Sequence, residues 1–183
     1  MIVTPRIVLR IALVILAGVI LQLTFFSQIT ILGASPNILP VLAVCLGLLG
    51  GAVVGAVCGF AIGFLIDSAL LQTLGVSSLA LLTAGYLAGR YREGFDVTSP
   101  LVPPALAGAL TLLATGGFAV VQLMLGVDAP VSLLVLRELA VQSLLGFLLA
   151  FPIYPLVRRV LRAALVEDSG GRGRLPVPFR TAQ

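Results

Sequence analysis

The chain has no histidine, no lysine and no tryptophan, and only two cysteines. Without histidine there can be no Ser-His-Asp triad and no His-ligated metal site. Cys45 and Cys58 both lie in apolar surroundings, and two thiols cannot complete a tetrahedral zinc site, so they read as buried, inert side chains. Three tyrosines and no tryptophan make a pocket of stacked aromatics a poor expectation. Charge is also scarce. Charged residues make up 10% of the chain, against about 25% in ordinary soluble domains.

What is present is apolar. Of 183 residues, 60% are hydrophobic, and the mean hydropathy of +1.19 belongs to a polytopic membrane protein. No long segment mixes polar and apolar residues as a soluble domain would. The expected organisation is one transmembrane domain over residues 1–166 and a disordered cytoplasmic tail over 167–183. That tail, "EDSGGRGRLPVPFRTAQ", has Gly, Pro and charge but no periodicity. The net charge of +4 does not point to nucleic acid, because the arginines form no single patch.

Residues 7–26 are apolar apart from Gln22 and Thr24, are long enough to span, and have Arg6 and Arg10 about their start. The small run Gly33-Ala34-Ser35 is followed by Pro36, a poor residue just after a cleavage site, so the segment reads as a retained signal-anchor. Further apolar segments cover 76–89, 101–125 and about 139–157, separated by polar breaks at 90–100 and 126–130.

The stretch 38–66 is the ambiguous one. As one helix it would measure about 44 Å at about 1.5 Å per residue, against a hydrocarbon core of about 30 Å. Charge decides what length does not. If the stretch crosses once, Arg90, Arg92, Arg158, Arg159 and Arg162 lie outside when the N-terminus is inside. If it crosses twice, these and Arg6 and Arg10 all lie inside, as the positive-inside rule requires. The expected fold is therefore all-α, with six transmembrane helices and both termini cytoplasmic. Helices 2 and 3 form a short Gly-rich hairpin, about 38–49 and 52–71, that turns at Gly50-Gly51.

Gly47, Gly51, Gly55, Gly59 and Gly63 recur at every fourth position, and Asp67 continues the series. Small residues on a stripe let helix backbones approach. The stripe reads either as packing between this chain's own helices or as a docking face for another protein's helix. Gln22, Asp67, Arg137, Glu138 and Gln142 are the polar residues set in apolar segments. The three charges among them read as interface anchors or as an Asp67–Arg137 ion pair tying the hairpin to the last helix. Glu138 and Gln142, at i and i+4, share a face. Arg158, Arg159 and Arg162 read as a site for anionic lipid headgroups.

Several short pieces in order carry a resemblance: Leu21-Gln22, Pro36-Asn37, "GFLID" at 63–67, Leu74-Gly75, and "GYLAGR" at 85–90 with Gly85, Tyr86 and Gly89. Together they resemble the rod shape-determining protein MreD family over residues 21–91. Beyond Tyr91 the likeness is one of hydropathy alone. The resemblance implies a bacterial inner-membrane protein of the cell-elongation machinery, without catalytic role or cofactor. It would bind MreC and act through it with RodA, the elongation penicillin-binding protein and MreB. It also implies a fold similar to the substrate-binding subunits of energy-coupling-factor vitamin transporters. A subunit of such a transporter is the alternative function. Those subunits carry an Ala-x-x-x-Ala pattern on the first helix, and here Ala12 is followed by Leu16.

Overall fold

A computed structural model of the chain describes residues 5–25, 28, 36–71, 75–95, 101–124 and 133–171. The described residues form six α-helices and no strand: α1 (Pro5–Thr24), α2 (Ile38–Gly50), α3 (Ala52–Leu70), α4 (Val76–Gly94), α5 (Val102–Met124) and α6 (Leu133–Gly171). The Gly33-Ala34-Ser35 run, Leu74, the 126–130 loop and residues 172–183 lie outside the described residues.

The helix ends follow local chemistry. Pro5 opens α1, where its missing N–H would have no intrahelical partner. Asn37 caps α2, its side-chain oxygen accepting from the Leu39 N–H at 3.1 Å. The long apolar stretch breaks at Gly51, whose φ of 94° and ψ of 178° lie in a region open to glycine and costly for other residues. The predicted hairpin is thus present, with Gly51 alone as its turn. Gly51 consequently lies outside α3, and the stripe on that helix is Gly55, Gly59 and Gly63. Pro103 and Pro104 fall in the first turn of α5, where proline is tolerated. In contrast, α6 runs through Pro152 and Pro155 and on to Gly171, taking in residues 167–171 of the expected tail.

Five helices make a closed ring in the order α1, α3, α4, α5, α6, each packed against its two neighbours, and α2 packs against all five. This explains how a helix of 13 residues fits. It is about 20 Å long at about 1.5 Å per residue, shorter than a hydrocarbon core about 30 Å thick. Its residues 38–48 are all buried, so it is enclosed by protein and need not match the bilayer.

The two sides of α2 seed two clusters. Leu39, Leu42 and Leu46 meet Ile15 and Val19 of α1 and Ile62 and Ile66 of α3. Val41, Val44, Cys45 and Leu48 meet an alanine-lined wall made by Ala84, Ala88, Ala107, Ala114 and Ala150. Both sets follow the three-and-four spacing of a helix face.

The outside of the ring is as apolar as the inside, with Leu9, Leu13, Val53, Phe60, Leu144 and Leu148 among its exposed side chains. Among the described residues, three helices are long and apolar enough to cross a membrane: Ala52–Leu70, Val102–Val121 and Arg137–Leu161. Such an exterior is stable in lipid and would be an aggregation surface in water.

Candidate functional site

The glycine stripe meets a second stripe on α4. A Cβ placed on Gly55 would overlap the Gly85 carbonyl oxygen, one on Gly59 would overlap the Leu81 carbonyl oxygen, and one on Gly63 would overlap the Ser78 backbone. The relation is reciprocal. A Cβ on Gly85 would strike the Gly55 carbonyl, and one on Gly89 would strike the backbone of Gly51 and Ala52. Gly47 of α2 also faces the Gly85 carbonyl, so three backbones converge where Gly47, Gly55 and Gly85 meet. The stripe is therefore an internal seam between α3, α4 and α2. Facing inward, it is not a docking surface for a foreign helix. The sequence reading missed the α4 half, although Gly85-x-x-x-Gly89 carries the same four-residue signal.

The polar residues sit at the ends of these helices. Gln22, at the end of α1, donates through Nε2 to the Pro36 carbonyl at 3.2 Å and accepts through Oε1 from the Ile38 N–H at 2.9 Å. With Asn37 on Leu39, it fastens the start of α2. Asp67 is 1% exposed, and its Oδ2 accepts from the Gly75 N–H at 2.9 Å. Gly75 is the N-cap of α4 and has no side chain with which to cap it. The carboxylate of α3 supplies the missing acceptor and places negative charge at the positive end of the α4 dipole.

A matching device closes the other end of the hairpin. Gly51, the N-cap of α3, also lacks a side-chain cap, and Glu93 Oε1 accepts from the Ala52 N–H at 3.0 Å. Beside it, Arg92 Nη1 donates to the Leu49 carbonyl at the C-terminal end of α2. An acid thus meets a helix N-terminus and a cation meets a helix C-terminus, each with the favourable sign. Helices α3 and α4 cap one another, Asp67 serving α4 and Glu93 serving α3. The sequence reading had left Glu93 in a polar loop, but it belongs to the last turn of α4.

The expected Asp67–Arg137 ion pair is not formed. Arg137 is exposed on α6, and α3 and α6 are not ring neighbours. A backbone N–H answers the buried carboxylate instead. Glu138 and Gln142 do share a face, with Gln142 Nε2 3.5 Å from Glu138 Oε1. Of the remaining motif residues, Pro36 is buried behind Gln22 and Tyr86 is exposed on α4.

Two expected results follow for these clamps. Gln22→Leu removes a donor and an acceptor together and leaves the Pro36 carbonyl and the Ile38 N–H unpaired. About 1–3 kcal/mol of stability should be lost, read as earlier thermal unfolding in detergent. Glu93→Ala should cost about 1–2 kcal/mol, the usual range for a lost helix cap. Arg90→Ala, which breaks an exposed 3.8 Å pair with Glu93, should cost less than about 1 kcal/mol.

A closed ring of helices, an apolar exterior and polar side chains engaged at helix ends define a helical integral membrane protein. A family model described as rod shape-determining protein MreD matches residues 3–164. The chain belongs to the MreD family, membrane proteins that determine rod shape. No curated protein and no solved structure matches it.

Proposed function

We propose that this chain is a non-catalytic scaffold in the bacterial inner membrane. It binds MreC and, through MreC, takes part with RodA, the elongation penicillin-binding protein and MreB in directing peptidoglycan synthesis along the cell. In this reading the chain crosses the membrane six times, with both termini in the cytoplasm.

One observation carries the non-catalytic role. The two buried polar side chains from the family-like pieces, Gln22 and Asp67, are engaged by backbone groups of the chain itself. A general acid or a ligand-binding carboxylate would need to be free for substrate. The seam and the clamps instead favour one fixed arrangement of α2, α3 and α4, as a platform requires. The vitamin-transporter alternative has no comparable observation in its favour.

The test is co-purification. The full chain, tagged and extracted from membranes in mild detergent, should retain MreC at a stoichiometric level. An unrelated six-helix protein handled identically should not. Recovery of the folded chain with no MreC above that control would overturn the scaffold reading.

A further inference from the structure

We propose that the Arg158–Arg159 end of the α1–α6 seam is a binding site for one anionic phospholipid, with the phosphate held at Arg158 and Arg159. The site rests on the bundle lying in a bilayer and is independent of MreC binding. Helices α1 and α6 are ring neighbours, and Ile11 and Ile15 pack in one cluster with Val157 and Leu161. Arg10 immediately precedes Ile11, and Arg158 and Arg159 immediately follow Val157. The positive charge of Arg158 and Arg159 therefore borders this seam.

Nothing in the described fold neutralises Arg158 and Arg159, which are both exposed. The acids with described side chains are Asp67, Glu93 and Glu138. Asp67 is bound to the start of α4 and Glu93 to the start of α3, while Glu138 is at the opposite end of α6. Along α6, Glu167 and Asp168 come about 12 Å of helix beyond Arg159 at about 1.5 Å per residue. The adjoining surface suits acyl chains, with Leu9, Leu13 and Leu16 exposed on α1 and Leu148 and Leu156 on α6. Guanidinium groups bordering an apolar wall match a phosphodiester above its chains, because arginine binds phosphate in bidentate fashion and is weakly hydrated.

The purified full chain in non-ionic detergent is titrated with phosphatidylglycerol, cardiolipin or phosphatidylcholine, and binding is followed by native mass spectrometry and thermal unfolding. The expected result is one retained anionic lipid and a raised melting temperature, with no such effect from phosphatidylcholine. Each arginine near an anionic surface adds about five-fold in affinity, so Arg158→Gln with Arg159→Gln should weaken binding about 25-fold. Arg137→Gln, the same charge change at the other end of α6, should leave it unchanged. Equal binding of phosphatidylcholine, an unweakened double variant, or an equal loss in Arg137→Gln would overturn the proposal. If the double variant does not fold, the wild type still decides: the anionic preference must fall as salt rises, and a salt-independent preference sinks the site.

Discussion

Gly55→Leu should abolish accumulation of the folded protein. At this position the new side chain meets the Gly85 carbonyl and the Gly47 Cα, both backbone. A flexible side chain could turn away, but three packed helix backbones cannot. Overpacking of ordinary cores costs about 1–3 kcal/mol, and here the loss should reach or exceed the top of that range. Gly85→Leu, on the other side of the same contact, should behave alike. Val57→Leu, on the same helix but 63% exposed, should accumulate normally. Membrane levels and thermal unfolding in detergent measure this. Wild-type behaviour of Gly55→Leu would mean that the seam is not closed as described.

Asp67→Ala is the second large effect. It removes the buried carboxylate that accepts from the Gly75 N–H at the start of α4, a helix with no side-chain cap of its own. A hydrogen bond to a charged group contributes about 1.5–3 kcal/mol, and a loss in that range is expected. Asp67→Asn keeps an acceptor but loses the charge at the α4 dipole, so it should fall between wild type and Asp67→Ala. Arg137→Gln should have no effect on stability. The double exchange Asp67→Arg with Arg137→Asp should be no better than Asp67→Arg alone, since the two residues do not meet. Recovery in the double exchange would restore the ion pair that the fold denies.

The hairpin was legible because two independent signals agreed on it. The paired glycines marked a break, and the arginines made sense only with two crossings. The periodicity of Gly55, Gly59 and Gly63 likewise announced a packed face. What that face packs against was not legible, since a repeat of small residues reads the same whether its partner is an internal helix or a foreign one. The sequence singles out Asp67, but the partner it suggests is an arginine. Counting charges does not register that a helix start with a glycine cap carries an unpaired N–H, and that N–H is the partner used. Glu93 was hidden for the same reason, since its role depends on Gly51 being a bare cap one helix away. The length of α6 was not legible because the apolar run ends at Val157, while the helix continues through the charged residues Arg158, Arg159 and Arg162 to Gly171, and hydropathy marks where a segment is apolar, not where a helix stops.

Residues 38–70 fold back at Gly51, and we propose that the chain crosses the membrane twice there. Single cysteines at Thr4, Leu71 and Gly94, each on a Cys45→Ala, Cys58→Ala background, report it directly. Leu71 is 93% exposed at the end of α3, and Gly94 ends α4 with open space around it. An impermeant thiol reagent applied to intact cells should label Leu71→Cys and spare Thr4→Cys and Gly94→Cys, all three reacting once the membrane is opened. Labelling that places Leu71 on the same side as Thr4, with Gly94 opposite, would contradict the hairpin and the six-span arrangement built on it.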